Sequence, residues 1–250
     1  MLIFDFDGVL VDTVDEMAVS TFNTVTDNLA TTTDELPGNS SALFRTNRYH
    51  IQTAGDGVAL MGWCLAQAHR APDHQMTKTE YETQRDGAPG SRHDRAMRFF
   101  EVRKTFIDHD TDRWRALNAP YQPLWDQLLT RGDSIIILTH KNREAVVNLC
   151  HHYGLMILPK QVYSGDTGAS KIENLLSIQM NLGREEFTFV DDNVENLKEL
   201  NAHFNHENPV IRLLLATWGY IGPDDKAEAG RNGFSVVSQT EVIEMLVESP

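Results

Sequence analysis

Asp5 and Asp7 stand two residues apart, directly after the apolar run Met1-Leu2-Ile3-Phe4 and directly before Gly8. A short apolar run bounded by a glycine reads as a buried strand. Side chains two apart on an extended segment share a face, so both carboxylates reach one reacting centre unless the backbone bends between them. Like charges held that close repel unless a cation or a shared proton intervenes. Mg²⁺ would meet the need, because it takes oxygen ligands, usually one or two carboxylates together with a substrate phosphate. The pair also suits covalent catalysis, in which one ionised carboxylate attacks and its neighbour moves protons. Asp-X-Asp in isolation reads more simply as a solvated strand end, so the weight falls on the rest of the chain.

Three later positions carry candidate chemistry. Thr139 follows Ser134-Ile135-Ile136-Ile137-Leu138, a run that reads as a strand buried on both faces. A hydroxyl and backbone N–H groups beside the next helix can hold a phosphate oxygen, or Thr139 simply caps that helix. His140, next to it, is close enough to touch a substrate, and a supporting or exposed role fits equally well. Lys171 opens a helix at the end of Gly165-Asp166-Thr167-Gly168-Ala169-Ser170-Lys171, where a lysine is ordinarily a solvated charge. Phe187-Thr188-Phe189-Val190 runs into Asp191-Asp192-Asn193, a second strand that closes on paired acids. His151 and His152 diverge on their helix and make no metal pair. Trp218-Gly219-Tyr220 follows a strand and reads as packing and loop geometry first, substrate contact second.

The elements that must position these residues alternate. Helical spacing of Met17, Phe22, Val25 and Leu29 follows Thr13, a turn-rich stretch at 36–41 separates that helix from 42–49, and further helices are expected over 57–69 and 94–107, with a polar stretch between them. Beyond residue 110 strands are expected at 134–138, 161–163, 187–190, 210–215 and 235–237, separated by helices at 143–153, 170–182 and 194–202, with a helix at 121–131 before them and one at 241–247 after. Short apolar strands alternating with amphipathic helices predict an α/β fold, a parallel sheet covered on both faces. The expected organisation is a discontinuous core, residues 1–13 and 110–250, interrupted by a mainly helical insert at 14–109. Ligands of open parallel sheets sit beyond the carboxyl ends of strands, where strand order reverses. Asp5, Thr139 and Asp191 all stand at such ends.

Composition narrows the partners. The chain has 250 residues, 41% hydrophobic, enough for a sizeable core and an accessory domain, and its formal net charge of -14 argues against long-range attraction to nucleic acid or an anionic membrane. Two cysteines, Cys64 and Cys150, are too few for a disulfide-stapled secreted domain, and a reduced, cytoplasmic setting is expected. The opening residues lack a basic leader, so no secretory signal is expected. The longest uncharged apolar stretch, 58–68, is too short to span a bilayer. Nothing in the sequence fixes the oligomeric state.

The string Asp5-Phe6-Asp7-Gly8-Val9-Leu10-Val11-Asp12-Thr13 resembles the first motif of the haloacid dehalogenase superfamily, a large group of aspartate-nucleophile phosphatases. Thr139, Lys171 and Asp191-Asp192 resemble its second, third and fourth motifs, in the right order and each near the end of a strand. Two departures are visible: Ile172 stands where proline often follows the motif lysine, and Asp191-Asp192 with Asn196 replaces the commoner Gly-Asp with a further Asp. The resemblance implies a three-layer Rossmann-like core with a helical cap inserted after the first motif. It also implies Mg²⁺-dependent hydrolysis of a small phosphorylated metabolite through an aspartyl-phosphate. Asp5 would be the nucleophile and Asp7 the acid and base. Thr139 and Lys171 would bind the phosphoryl oxygens. Asp5, Asp7 through its backbone carbonyl, and Asp192 would hold the metal, with Asp191 a ligand or a support and Asn196 behind it. Dehalogenases of the superfamily lack an acid at the Asp7 position, which argues against carbon–halogen cleavage. The phosphonate-cleaving branch uses a lysine near the start of its cap, where this chain has none; the insert carries only Lys78 and Lys104. A phosphomutase shares the core residues and remains the alternative, and an idle binding scaffold would be free to lose the charged set. Among the insert arginines, Arg45 and Arg48 are candidates to recognise a carboxylate or second phosphate on the leaving group; ordinary surface roles are expected for most of Arg92, Arg95 and Arg98.

Overall fold

The computed structural model describes residues 1–166, 168–183, 186–206 and 210–248. Thr167, in the stretch that leads to Lys171, lies outside them. Two compact units are formed, residues 1–12 with 120–250 and residues 13–119. The chain opens with β1 (Leu2–Phe4) and β2 (Val11–Asp12), then builds six helices: α1 (Val14–Thr26), α2 (Ser40–Thr46), α3 (Ala54–Ala66), α4 (Lys78–Gly87), α5 (Arg92–His109) and α6 (Thr111–Ala116). After β3 (Ala119–Pro120) comes α7 (Leu124–Leu129), followed by β4 (Ile136–Leu138), α8 (Arg143–His152), β5 (Val162–Tyr163), α9 (Lys171–Leu182), β6 (Phe187–Asp191) and α10 (Val194–Phe204). The chain closes with β7 (Ile211–Ala216), α11 (Asp225–Arg231), β8 (Ser235–Val237) and α12 (Gln239–Glu248).

In the first unit six parallel strands pair in the order β5-β4-β1-β6-β7-β8. β1 lies inside the sheet because all three of its residues are apolar and can be buried on both faces. Ile3 pairs with Ile136 on one side and Phe189 on the other. Ile3, Phe189 and Leu213 join Leu175, Ile178 and Leu197 from the helices in one buried cluster. Each such side chain contributes about 1.5–3 kcal/mol by leaving water. From β1 the chain moves outward to β4 and β5, then returns to pair β6 on the opposite side of β1. Strand order therefore reverses between β1 and β6, and their carboxyl ends open the crevice in which sheets of this type bind ligands.

The α/β reading holds, and further helices add to it, α2 (Ser40–Thr46) among them. α4 occupies a stretch whose polar composition hid it; Thr77 and Glu80 form a reciprocal capping box, and Tyr81 is its one buried side chain. α6 is capped by Asp110 and buries Trp114, so the helical unit runs to Ala119 instead of stopping at residue 109. α11 is short and buries only Ala229, which leaves little apolar periodicity to read. No helix among the described residues is long and apolar enough to cross a membrane.

Within the helical unit α1, α3 and α5 pack on one another. Glu16 on α1 is buried and meets the Nε and Nη2 of Arg103 on α5, with the Ser20 hydroxyl donating to the same carboxylate at 2.7 Å. Arg95 is not a surface residue: it is buried and donates to the carbonyls of Gly55, Arg85, Ala88 and Gly90, tying α5 to α3 and to the turn before it. Breaking a buried ion pair leaves an uncompensated charge and typically costs about 3–5 kcal/mol. Arg103→Met is expected to lower stability by that amount in urea denaturation, and adding Glu16→Gln to the same chain is expected to restore part of it.

Candidate active site

The site is built on the ends of β1 and β6. The Asp5 N–H donates to the Val190 carbonyl at 2.9 Å, which carries the pairing of β1 with β6 one residue past the strand. The chain then turns: Gly8 adopts a φ of 82°, and its N–H donates to the Val11 carbonyl at 2.9 Å. A Cβ at Gly8 would overlap the Asp192 carboxylate, so both the backbone conformation and the space require glycine there. The turn gives Asp5 and Asp7 different surroundings, with side chains 10% and 22% exposed.

Two buried lysines divide the aspartates between them. Lys171, the first residue of α9, is placed by a capping box between Ser170 and Glu173. Its ammonium lies 2.6 Å from Asp191 Oδ2 and 3.1 Å from Asp5 Oδ1. Lys141 lies two residues beyond Thr139, and its ammonium donates to Asp7 Oδ1 at 3.1 Å. The Lys141 N–H also donates to the Thr139 hydroxyl at 3.1 Å, which ties the threonine to the same loop. A cation just ahead of a helix N-terminus faces the positive end of the dipole, and carboxylates offset that cost in both cases.

The end of β6 is equally constrained. Asp191 accepts from the Asn193 N–H at 2.9 Å, the Asn196 amide at 2.9 Å and Lys171. Asp192 accepts the Tyr220 N–H at 2.6 Å. Trp218-Gly219-Tyr220, after β7, clamps the loop that follows β1: the Trp218 indole donates to the Val9 carbonyl at 2.9 Å and the Tyr220 hydroxyl to Asp12 at 2.7 Å. Any Cβ on Gly219 would overlap Gly8 and Asp192, so the two glycines let three backbone segments meet around one carboxylate.

Asp5, Asp191 and Asp192 are buried, and one oxygen of each lies within 4.8 Å of the others. This is a donor set for a hard cation. Asp5 Oδ1 is buried and accepts no hydrogen bond, although Lys171 is within ion-pair range. Burial, with Asp191 and Asp7 adding to it against Lys171, pushes the Asp5 carboxyl up to about 7. Burial alone would drive a proton from Lys171, but Asp191 and Asp5 outweigh it and hold the ammonium above its ordinary value. A divalent cation would offset both the burial and the neighbouring acids that raise Asp5, so the residues present fit a hard divalent cation.

Of the residues singled out in the sequence, Asp5, Asp7, Thr139, Lys171, Asp191 and Asp192 converge on this edge of the sheet. Asn196 stands behind Asp191, and His140 follows Thr139 with its side chain exposed. Arg45 and Arg48 belong to the helical unit and are engaged within it, Arg45 with Asp15 at 3.0 Å and Arg48 with the Ile51 carbonyl at 3.2 Å. Sequence reasoning missed Lys141, whereas the reading of Trp218-Gly219-Tyr220 as packing and loop geometry holds. The available signal for Lys141 was its place at a strand end ahead of a helix, where an unpaired lysine is disfavoured.

No protein-family model matches the sequence, and no curated protein matches it. Solved structures do match along nearly the whole chain. A predicted phosphoglycolate phosphatase from Haemophilus somnus is 15% identical with a TM-score of 0.61, covering 98% of this chain and 96% of its own. A haloacid dehalogenase-like family hydrolase from Streptococcus pneumoniae is 12% identical, with a TM-score of 0.58 and coverage of 98% and 96%. The fold is that of the haloacid dehalogenase-like hydrolases. A further protein described as such a hydrolase, from Deinococcus radiodurans with bound phosphate and sodium, is 17% identical with a TM-score of 0.54, covering 96% of this chain and 92% of its own. At these identities the haloacid dehalogenase-like likeness is one of architecture, and the side-chain geometry above has to carry the chemistry.

The raised Asp5 carboxyl has a consequence for stability. Its ordinary value is 3.8 and its folded value about 7, so the folded chain holds this proton more tightly than the unfolded chain. The contribution of Asp5 is fully present below about pH 4, is lost as pH rises through about 7, and is flat above. In metal-free protein the melting temperature of Asp5→Asn minus that of the parent is therefore expected to grow from pH 4 to pH 7 and then level off. A difference that stays constant with pH would show that Asp5 is already ionised at low pH.

Proposed function

We propose that this chain is a Mg²⁺-dependent phosphatase that hydrolyses a small phosphate monoester through an aspartyl-phosphate. The observation that carries the reading is the division of company at one strand end: Asp5 is buried beside Lys171, Asp191 and Asp192, whereas Asp7, two residues on, is more exposed and held by Lys141. A buried, positioned carboxylate suits nucleophilic attack, and a more accessible neighbour suits proton transfer to and from solvent. The phosphate bound in the Deinococcus radiodurans protein supports a phosphorylated ligand for this architecture.

In this reading the Asp5 carboxylate attacks phosphorus while Thr139 and Lys171 hold the equatorial oxygens, stabilising charge that develops in the transition state. Asp7 gives its proton to the leaving ester oxygen, then takes one from the water that attacks the aspartyl-phosphate, and inorganic phosphate leaves as the Asp5 carboxylate is restored. Asp5, Asp192 and the Asp7 backbone carbonyl would hold Mg²⁺, and Asp191, whose oxygens already accept from Lys171, Asn193 and Asn196, would orient the lysine. Bound there, the ion lets an anionic nucleophile approach an anionic ester. Arg45 and Arg48 are the proposed readers of a further anionic group on the ester. The two buried, unpaired cysteines agree with a cytoplasmic setting.

Asp5→Asn is expected to fold and to reduce phosphate release from a panel of monoesters to the uncatalysed background, and chelation of divalent cations to do the same reversibly. Asp7→Asn is expected to lower kcat by about 10²–10⁴, the usual worth of a positioned acid–base group. Undiminished release by Asp5→Asn would remove the nucleophile assignment. An isomeric phosphate in place of free phosphate would replace the hydrolase with a mutase.

A further inference from the structure

We infer that Lys141 is the positioning residue for Asp7, and that its role falls on the hydrolysis of the aspartyl-phosphate rather than on its formation. The inference rests on the phosphatase reading above and deepens it. Lys141 is one of two lysines buried at this sheet edge, its side chain 3% exposed, and its ammonium donates to Asp7 Oδ1 at 3.1 Å. Its backbone is fixed independently, by the N–H bond to the Thr139 hydroxyl and by the start of α8, where Asn142 caps the Ala145 N–H at 3.0 Å. The ammonium therefore comes from a rigid element and sets the direction of the carboxylate. Lys171 cannot replace it, because it is committed to Asp5 and Asp191.

The two half-reactions use this contact differently. In the first, Asp7 starts protonated, the bond between phosphorus and the ester oxygen breaks, and the proton passes to that oxygen. Asp7 is left as a carboxylate beside the Lys141 ammonium. In the second, that carboxylate removes a proton from water as the water oxygen bonds to phosphorus; the bond from phosphorus to the Asp5 oxygen breaks, and its electron pair returns to Asp5. The ion pair aims the Asp7 carboxylate in the state that begins the second half-reaction. An ester whose leaving group departs without a proton, such as p-nitrophenyl phosphate, needs little from Asp7 in the first half and depends on it in the second.

The test uses the full chain with Mg²⁺ and p-nitrophenyl phosphate, comparing parent, Lys141→Met, Lys141→Gln and Lys141→Arg. A misdirected catalytic group costs on the order of 100-fold, so kcat is expected to fall about that far in Lys141→Met and Lys141→Gln. A burst of p-nitrophenolate and a rise in acid-trapped phosphoenzyme are expected with it, and Lys141→Arg should recover part of kcat. Circular dichroism selects the variants that fold, and Lys141→Arg carries the comparison if the neutral variants do not: it is then expected to show a smaller burst of the same kind. Unchanged kcat in the folded variants overturns the proposal. So does a fall in kcat without added phosphoenzyme, and so does a rise in KM and in the inhibition constant of inorganic phosphate alone, which would make Lys141 a phosphate ligand. If the parent itself neither turns over nor labels, the phosphatase reading fails, an outcome distinct from a parent that labels and variants that match it.

Discussion

Burying Asp5 against Asp191 and Asp192 is electrostatically unfavourable, and the ammonium of Lys171 is the interaction that offsets it. Each ion taken out of water costs several kcal/mol, so the arrangement persists only if the lysine arrives from a fixed direction and meets more than one acid. It does both, since it is the first residue of a capped helix and reaches Asp5 and Asp191 together. The sheet follows from this requirement as much as it provides for it. β1 and β6 must be neighbours for their acids to share a cation, and α9 must return on the side of the sheet that lets its first residue face them. One constraint thus links the strand order, the helix cap and the chemistry.

The second constraint is rigidity around Asp192. Its carboxylate sits where three segments meet: the turn at Gly8, the end of β6 and the Trp218-Gly219-Tyr220 loop. Two glycines make the approach possible, and backbone N–H groups, an indole and a phenol hold the segments together. A site held this way loses little energy to reorganisation when charge moves within it. Asp191, which accepts from Lys171, Asn193 and Asn196, contributes to the same end by fixing the lysine.

The helical unit uses its arginines mostly on itself. Arg103 satisfies a buried glutamate, Arg95 gathers carbonyls from α3, α4 and the turn before α5, and Arg92 meets Asp56. Guanidinium groups suit this work because one planar group satisfies several acceptors at fixed angles. A count of arginines is therefore a poor guide to what the unit binds; even Arg45 meets Asp15 at 3.0 Å within it.

The alternation of apolar runs with amphipathic stretches was enough to give the α/β class, because burial on both sheet faces leaves a pattern in each strand. Asp5, Thr139 and Asp191 were legible for a related reason, as polar residues that close apolar runs, whereas Lys171 opens a helix after a polar stretch and stood out only through the family resemblance. α4 was not legible, since a helix that buries one tyrosine has almost no periodicity, and α6 hid behind a boundary set by a single capping aspartate. Strand order, the pairing of Lys141 with Asp7, the donors that meet Asp191 and the partners held by Tyr220 were decided only by the tertiary structure. Each joins residues far apart in the chain, and a sequence records which groups can ionise or donate but not which of them meet. By itself the sequence determined the set of charges at the strand ends; the fold decided which acid received which lysine, because only packing fixes the direction from which a charge arrives.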